Sequence, residues 1–243
     1  MRYGYQDALA FSGVADAHPG GFSLTKKLLK NERINPKSTV LDAGCGTGLT
    51  AAYLASKFKC KVFAVDVHPQ MIKHASTRIK KEKLPVKVIK GNIENLPFPD
   101  DSFDYVIAES STVFTDFSKT IKEYYRVLKP SGVLIDIEMI RDESLKKTEE
   151  SRLKKFYNIK AFPSENEWVR AFQKAGFRNI EVPQTNSILE EIEEYNGELS
   201  ELTDKNKEEK IDPAIDDILF EHSKIMMNFA EKLGYCVFRA IKM

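Results

Sequence analysis

Cysteine is scarce in this chain: there are three among 243 residues, at 45, 60 and 236. Their odd number, wide separation and lack of a C-x-x-C pair exclude a disulfide framework and a thiolate metal cage, and a reducing cytosol is the expected setting. An excess of one charge is also lacking. Lys+Arg 37 against Asp+Glu 36 leave a formal net charge of +1, so no bulk pull toward nucleic acid or an anionic lipid surface is expected. No stretch approaches the ~18 apolar residues of a membrane span. The N-terminal MRYGYQDALAFSGVADA is interrupted by Gly4, Gln6, Asp7, Ser12 and Gly13 before the apolar region of an export signal forms. Internal repeats and low-complexity tracts are missing too. With 42% hydrophobic and 30% charged residues, the composition is that of an ordinary folded protein, and one domain with insertions accounts for the length.

What is present is an alternation. Short apolar or β-branched runs at 39–43, 61–65, 86–89, 103–108 and 132–137 are separated by segments of helical spacing, Leu49 to Phe58, Pro69 to Lys81 and Phe117 to Leu128. That order predicts a parallel sheet with helices on both faces, joined by right-handed crossovers. Beyond the fifth strand a charged stretch, 141–160, precedes a helix opened by the capping box Ser164 and Glu167 and stopped at Gly176. Residues 178–182 read as a strand and 235–241 as a last strand. Between them lies an insertion, 184–230, whose first part is acidic (Glu190, Glu191, Glu193, Glu194, Glu198, Glu201). Its second part is a helix opened by Asp212 and Pro213, on which Ile215, Ile218, Leu219, His222, Ile225, Met226 and Phe229 share a face.

The chemistry gathers at Val40-Leu-Asp-Ala-Gly-Cys-Gly-Thr-Gly48, a strand running into a glycine-rich turn that opens a helix. Glycines let a ligand touch the backbone, and a helix N-terminus offers free N–H groups. The dinucleotide pattern G-x-G-x-x-G fails here, because Leu49 stands where its third glycine belongs. Asp42, two residues before the first glycine, would repel a pyrophosphate and suits a ligand carrying an ammonium or sulfonium charge; it also suits a backbone tie within the loop. Asp66 ends the second strand 20 residues beyond Gly46. That is the reach of a carboxylate that accepts from both hydroxyls of a ribose, and also the place of an N-cap for the helix starting near Pro69.

Four blocks in order, LDAGCGTG at 41–48, VDVHPQMI at 65–72, GNIENLPFPDDSFD at 91–104 and EYYRVLKPSGVLI at 123–135, resemble the class I S-adenosylmethionine-dependent methyltransferases, in the small-molecule branch called methyltransferase type 11. The resemblance implies a Rossmann-like α/β fold, a mostly parallel seven-stranded sheet in the order 3-2-1-4-5-7-6 with strand 7 antiparallel, flanked by helices. It implies S-adenosylmethionine as cofactor and S-adenosylhomocysteine as product. Gly44, Cys45 and Gly46 would line the methionine part with Asp42 nearby, Asp66 would hold the ribose, and Val67 and Met71 would pack by the adenine, Met71 suiting plain helix core equally well. The block after strand 3 usually supplies an acid for the adenine amino group; here the side-chain carbonyl of Asn92 and the backbone N–H of Ile93 take its place. His18-Pro-Gly-Gly-Phe-Ser-Leu-Thr25 resembles a turn that closes over the methionine end, through Gly20 or Gly21, with Ser23 as a helix cap. Glu109, just past strand 4, would face the cofactor ammonium or the acceptor, or is a solvated loop carboxylate. His18 would act as a base or orient the acceptor; His68 and His74 read as helix-start and surface residues, His222 as core or lid.

Position suggests a single domain over 1–243: an N-terminal cap segment 1–38, a cofactor-binding core 39–140, and insertions 141–160 and 184–230 that cap an acceptor. The helix after Asp212 suits a dimer interface as well, so monomer and homodimer both stay open. The [DN]-P-P-[YFW] tetrapeptide that amino-group methylases of adenine and related enzymes carry after strand 4 is replaced by Ala108-Glu-Ser-Ser-Thr-Val-Phe114. The basic stretch Arg78, Lys80, Lys81, Lys83, Lys87, Lys90 most simply solvates a helix end. No carboxylate cluster for a metal is discernible. The expected partner is a small-molecule acceptor, with no nucleic acid, membrane or metal, methylated by in-line displacement in the cytoplasm. A protein that holds S-adenosylmethionine or S-adenosylhomocysteine without transfer is the rival; an NAD-dependent oxidoreductase is disfavoured by the glycine spacing.

Overall fold

Alternate residues along the strands point into two different cores. The computed structural model describes residues 3–195 and 212–243; Glu198 and Glu201 of the acidic insertion, and the side chains of Glu193 and Glu194, lie outside the described residues. Seven strands, β1 (Thr39–Ala43), β2 (Lys61–Asp66), β3 (Val86–Lys90), β4 (Phe103–Glu109), β5 (Leu128–Arg141), β6 (Arg178–Ser187) and β7 (Leu233–Ile241), form one sheet in the order β3-β2-β1-β4-β5-β7-β6. Neighbours run parallel except β7, which is antiparallel to both β5 and β6. Val40, Val62, Ala64, Ile107 and Ile135 pack under α3 (Leu49–Phe58) and α4 (Pro69–Glu82). Leu41, Val65, Val106 and Leu134 face α5 (Phe117–Val127) and α7 (Glu165–Ala175), meeting Ile121, Tyr124, Trp168 and Phe172. Strands covered on both faces need apolar residues at nearly every position, hence runs such as Tyr105-Val-Ile-Ala108.

Four further helices, α1 (Tyr5–Ser12), α2 (Gly21–Lys30), α6 (Lys147–Tyr157) and α9 (Pro213–Asn228), together with α8 (Ile188–Tyr195), complete the fold. The cap signals work as expected at α7, where Ser164 and Glu167 exchange hydrogen bonds with each other's backbone N–H. They work likewise at α9, where Asp212 accepts from the Ala214 N–H. None of the described helices is long and apolar enough to cross a membrane.

Four local expectations change. β6 runs on to Ser187, so residues 184–187 belong to the sheet, paired with β7, instead of the insertion. Ser23 lies inside α2, whose N-cap is Gly20 at φ 76°. The cap of α4 is His68, whose Nδ1 accepts from the Gln70 N–H at 3.2 Å, which frees Asp66 from that role. His74 is no surface residue: its Nε2 lies 3.0 Å from the Ala10 carbonyl and docks α1 on α4.

Two acids that read as ordinary strand residues, Asp136 and Glu138, are wholly buried in β5. Glu138 accepts from the backbone N–H groups of Ser111 (3.0 Å), Thr112 (2.8 Å) and Val113 (3.3 Å), and Asp136 accepts from the Thr112 hydroxyl at 3.1 Å. Burial pushes both carboxyls up, Glu138 to about 7. The pair pins the turn after β4 and so fixes Ser111, whose hydroxyl donates to the Ala43 carbonyl at 2.8 Å, against the loop after β1.

Candidate functional site

The carboxyl ends of β1, β2 and β4 lie side by side, which brings the loops that follow them into contact. Gly44 and Cys45 donate their N–H groups to the Val65 carbonyl at 2.8 and 2.9 Å, drawing the glycine loop over the end of β2. Gly46 donates to Asp66 Oδ2 at 2.9 Å, and His68 to Oδ1 at 2.8 Å. Gly44 must be glycine twice over: its φ is +80°, and an added Cβ would lie 2.3 Å from the Ser111 Cβ. Above this loop opens a cavity of about 780 Å³, within the range of sites that bury most of a bound small molecule.

Of the residues expected at the site, Gly44, Cys45, Gly46, Asp66, Val67, Met71, Asn92, Ile93, Glu109 and His18 all line this cavity. Asp42, Gly20 and Gly21 are not among its lining residues. Asp42 is buried beneath the loop, with Oδ2 unpartnered among the described residues. Gly20 serves the turn: an added Cβ would meet Leu24 at 2.4 Å, and its N–H donates to Glu191 at 2.5 Å. Asn92 Oδ1 accepts from the Glu94 N–H at 2.8 Å in a local turn. Val67 is 60% exposed and Ile93 only 7%.

The loop gathers three carboxyl groups, Asp42, Asp66 and Glu109. Burial, with the Glu109 charge next, pushes the Asp42 carboxyl well above the usual carboxylate range. Burial raises Asp66 too, against the N–H groups of His68 and Gly46, which favour its charged form. The Cys45 thiol is driven up by burial and by the Asp42 and Asp66 charges, so it stays protonated and is no nucleophile. Glu109 accepts from the hydroxyls of Thr25 and of Thr50, the latter at 2.7 Å, and is therefore no loosely solvated loop acid. His18 is a brace: Nδ1 lies 3.0 Å from the Pro19 carbonyl and Nε2 3.2 Å from Thr25 Oγ1 and 3.6 Å from Glu109.

The far wall comes from segments remote in sequence. Tyr5 of α1, Tyr157 of α6, and Leu219, His222 and Met226 of α9 all line it. His222 Nδ1 lies 2.9 Å from the Tyr157 hydroxyl and Nε2 3.5 Å from that of Tyr5. Burial lowers His222 to about 4. Reading Thr25, Thr50, Tyr5 or Tyr157 as site residues needs this geometry, since no local spacing joins them.

His222 makes a pH prediction. The unfolded chain takes up a proton near pH 6.5 that the folded chain refuses until about 4. Stability from this residue is thus present above pH 6.5 and lost as pH falls through 4, by about 3 kcal/mol in all. Glu138, raised by burial, slopes the opposite way, losing its stability as pH rises through about 7, so the readout is a difference between two proteins. The destabilisation caused by His222→Gln, from urea unfolding, should be smaller at pH 4.5 than at pH 7 by about 2–3 kcal/mol. An equal effect at both would show that the ring is not held neutral.

Residues 40–132 match the methyltransferase domain family. The uncharacterized methyltransferase YodH of Bacillus subtilis is 35% identical over 238 residues, 98% of this chain and 99% of that protein. The ubiquinone/menaquinone biosynthesis C-methyltransferase UbiE of Rickettsia typhi is 36% identical over 168 residues, 63% of this chain and 65% of that one. Among solved structures, phosphoethanolamine N-methyltransferase 2 of Haemonchus contortus, with phosphomonomethylethanolamine and S-adenosylhomocysteine, superposes with a TM-score of 0.77 at 24% identity, over all of this chain and 58% of that one. The chain belongs to the class I S-adenosylmethionine-dependent methyltransferases. Its sheet has that fold's seven-stranded order, with β7 antiparallel.

Proposed function

We propose that this enzyme methylates a small molecule held in the 780 Å³ cavity, and that it works chiefly by positioning. The observation that carries the reading is that the glycine loop, Asp66 and the aromatic wall of α1, α6 and α9 line one and the same space. S-adenosylmethionine, when bound, supplies an electrophilic methyl on a sulfonium whose positive charge disappears in the transfer. The residues fit such a group. The cluster Asp42, Asp66 and Glu109 is short of positive charge, and a Cβ on Gly46 would meet nothing within 4 Å, which leaves the loop backbone open to a ligand.

Each Asp66 oxygen spends one lone pair on a backbone N–H and keeps another for a ribose hydroxyl. Val67, Met71 and Ile93 supply apolar walls for the adenine, and Asn92 edges it. Glu109, oriented by Thr25 and Thr50, faces the ammonium. The leaving group needs no acid, so what remains for the protein is to hold the acceptor atom about 3–3.5 Å from the methyl carbon and in line, an effect worth up to about 7–11 kcal/mol. The described parts of 1–38, 142–160 and 188–230 serve as the cap, through Tyr5, Tyr157, Ile188 and Leu219. A small acceptor is supported by the enclosure and by the quinone named for the Rickettsia relative.

Calorimetric titration with S-adenosylmethionine and with NAD, followed by a screen of metabolite pools with labelled methyl donor, tests the reading. Binding of the first ligand only, with label entering a small molecule, is expected. Absence of S-adenosylmethionine binding would overturn it.

A further inference from the structure

Among the described residues lining the cavity there is no lysine or arginine, whereas Asp16, Asp66, Glu94, Glu109 and Glu191 are all there. The cofactor's own carboxylate brings an ammonium beside it; a phosphate or carboxylate on an acceptor, without such a partner, would give up its water with no lysine or arginine to meet it and carboxylates around it, which is costly. The cap side is apolar and aromatic. Tyr5 stacks on Phe114 with ring centroids 6.1 Å apart, and Phe162, Leu219 and Met226 share the wall.

In that wall stand three polar side chains whose hydrogens can be counted. With the His222 ring neutral, Tyr5, Tyr157 and His222 carry two O–H hydrogens and one N–H between them. Their two links, Tyr157 to Nδ1 and Tyr5 to Nε2, use two of the three. If Nε2 carries the ring hydrogen, it donates to Tyr5, Tyr157 donates to Nδ1, and the Tyr5 hydrogen is left over. In the other tautomer the Tyr157 hydrogen is left over. Either way the trio holds one donor for a group outside itself, beside a buried apolar wall.

We propose that the methyl acceptor is an uncharged, apolar-bodied molecule whose oxygen takes the hydrogen left over by the Tyr5–His222–Tyr157 trio, and that anionic acceptors are excluded. The proposal rests on the methyl-transfer reading of the same cavity. The trio binds and positions; the methyl group would pass from the sulfonium to one atom of the acceptor, the electron pair of the C–S bond staying with sulfur and the proton on that acceptor atom going to solvent.

The test uses the full chain saturated with S-adenosylhomocysteine and two matched pairs of probes, 1-naphthol with 1-naphthyl phosphate and 4-propylphenol with 4-propylbenzoate, followed by ligand-observed NMR. The uncharged member of each pair should bind at least tenfold more tightly. Of Tyr5→Phe and Tyr157→Phe, which keep the rings, the one that removes the hydroxyl carrying the left-over hydrogen should weaken binding of the uncharged members about three- to tenfold, with S-adenosylhomocysteine affinity unchanged. Leu219→Lys, placing a cation in the wall, should raise affinity for the anionic members. Anions bound as tightly as their neutral partners, no binding of either neutral probe, or unchanged 1-naphthol affinity in both tyrosine variants would overturn the proposal. Failure of S-adenosylhomocysteine itself to bind would instead overturn the methyltransferase reading beneath it.

Discussion

Asp66→Ala is expected to weaken S-adenosylhomocysteine binding by at least tenfold while the protein stays folded. The carboxylate does two things at once. It accepts the N–H groups of Gly46 and His68, at 2.9 and 2.8 Å, which hold the glycine loop and the start of α4. Its remaining lone pairs are the only ones proposed for the ribose. Each buried donor left unmade costs about 1–3 kcal/mol, and a hydrogen bond to a charged acceptor contributes about 1.5–3 kcal/mol. One such loss already exceeds the ~1.4 kcal/mol of a tenfold change. Asp66→Asn should fall between, since its amide oxygen still accepts one N–H while its NH₂ confronts the other. To separate the ribose from the loop, both proteins are titrated with S-adenosylhomocysteine and with its 2′-deoxy analogue. The wild type should prefer the hydroxylated ligand and Asp66→Ala should not. An unchanged preference would remove Asp66 from the ribose.

The second large effect distinguishes two glycines that look alike in the motif. At Gly44 a methyl group would sit 2.3 Å from the Ser111 Cβ and 2.8 Å from its Oγ, at φ +80°. Ser111 cannot yield, because its hydroxyl is bound to the Ala43 carbonyl and its N–H to Glu138. Left-handed backbone costs about 1–2 kcal/mol and overpacking about 1–3 kcal/mol more. Gly44→Ala should therefore lower Tm by roughly 10 °C. Gly46 has φ +51°, but its added Cβ would meet nothing within 4 Å. Gly46→Ala should melt within a few degrees of the wild type, at a cost of about 1–2 kcal/mol, yet lose ligand binding because its methyl occupies the space proposed for the ligand. Melting curves and calorimetry on both variants check this. Equal melting temperatures, or full binding by Gly46→Ala, would contradict the loop geometry.

Much of this architecture is legible in one dimension because its signals are local. A strand buried on both faces shows as an apolar run, Ser164 and Glu167 lie one helical turn apart, and the loop at 44–48 carries its glycines in a row. Asp66 is found by its distance along the chain. Elsewhere local signals mislead or fall silent. Ser23 has the chemistry of a cap, but the left-handed turn at Gly20 starts the helix earlier. Pro183 and the polar residues to Ser187 hide the rest of β6, which tertiary pairing with β7 holds in place. Glu109 reads either as a site acid or as a solvated loop acid because its partners, Thr25 and Thr50, come from two other elements. The trio of Tyr5, Tyr157 and His222 draws on three helices, and only the packing of α1, α6 and α9 brings it together.

The place of β7 bears on how the molecule is made. It lies between β5 and β6 and pairs with both, yet follows both in the chain. During synthesis β5 is complete while one of its edges has nothing to pair with, and β6 has no neighbour at all until Leu233–Ile241 emerges. An exposed parallel-sheet edge invites pairing with another nascent copy. Assembly of the sheet is thus finished from its inside, and the cavity wall that α9 supplies just before β7 comes into being in that same step.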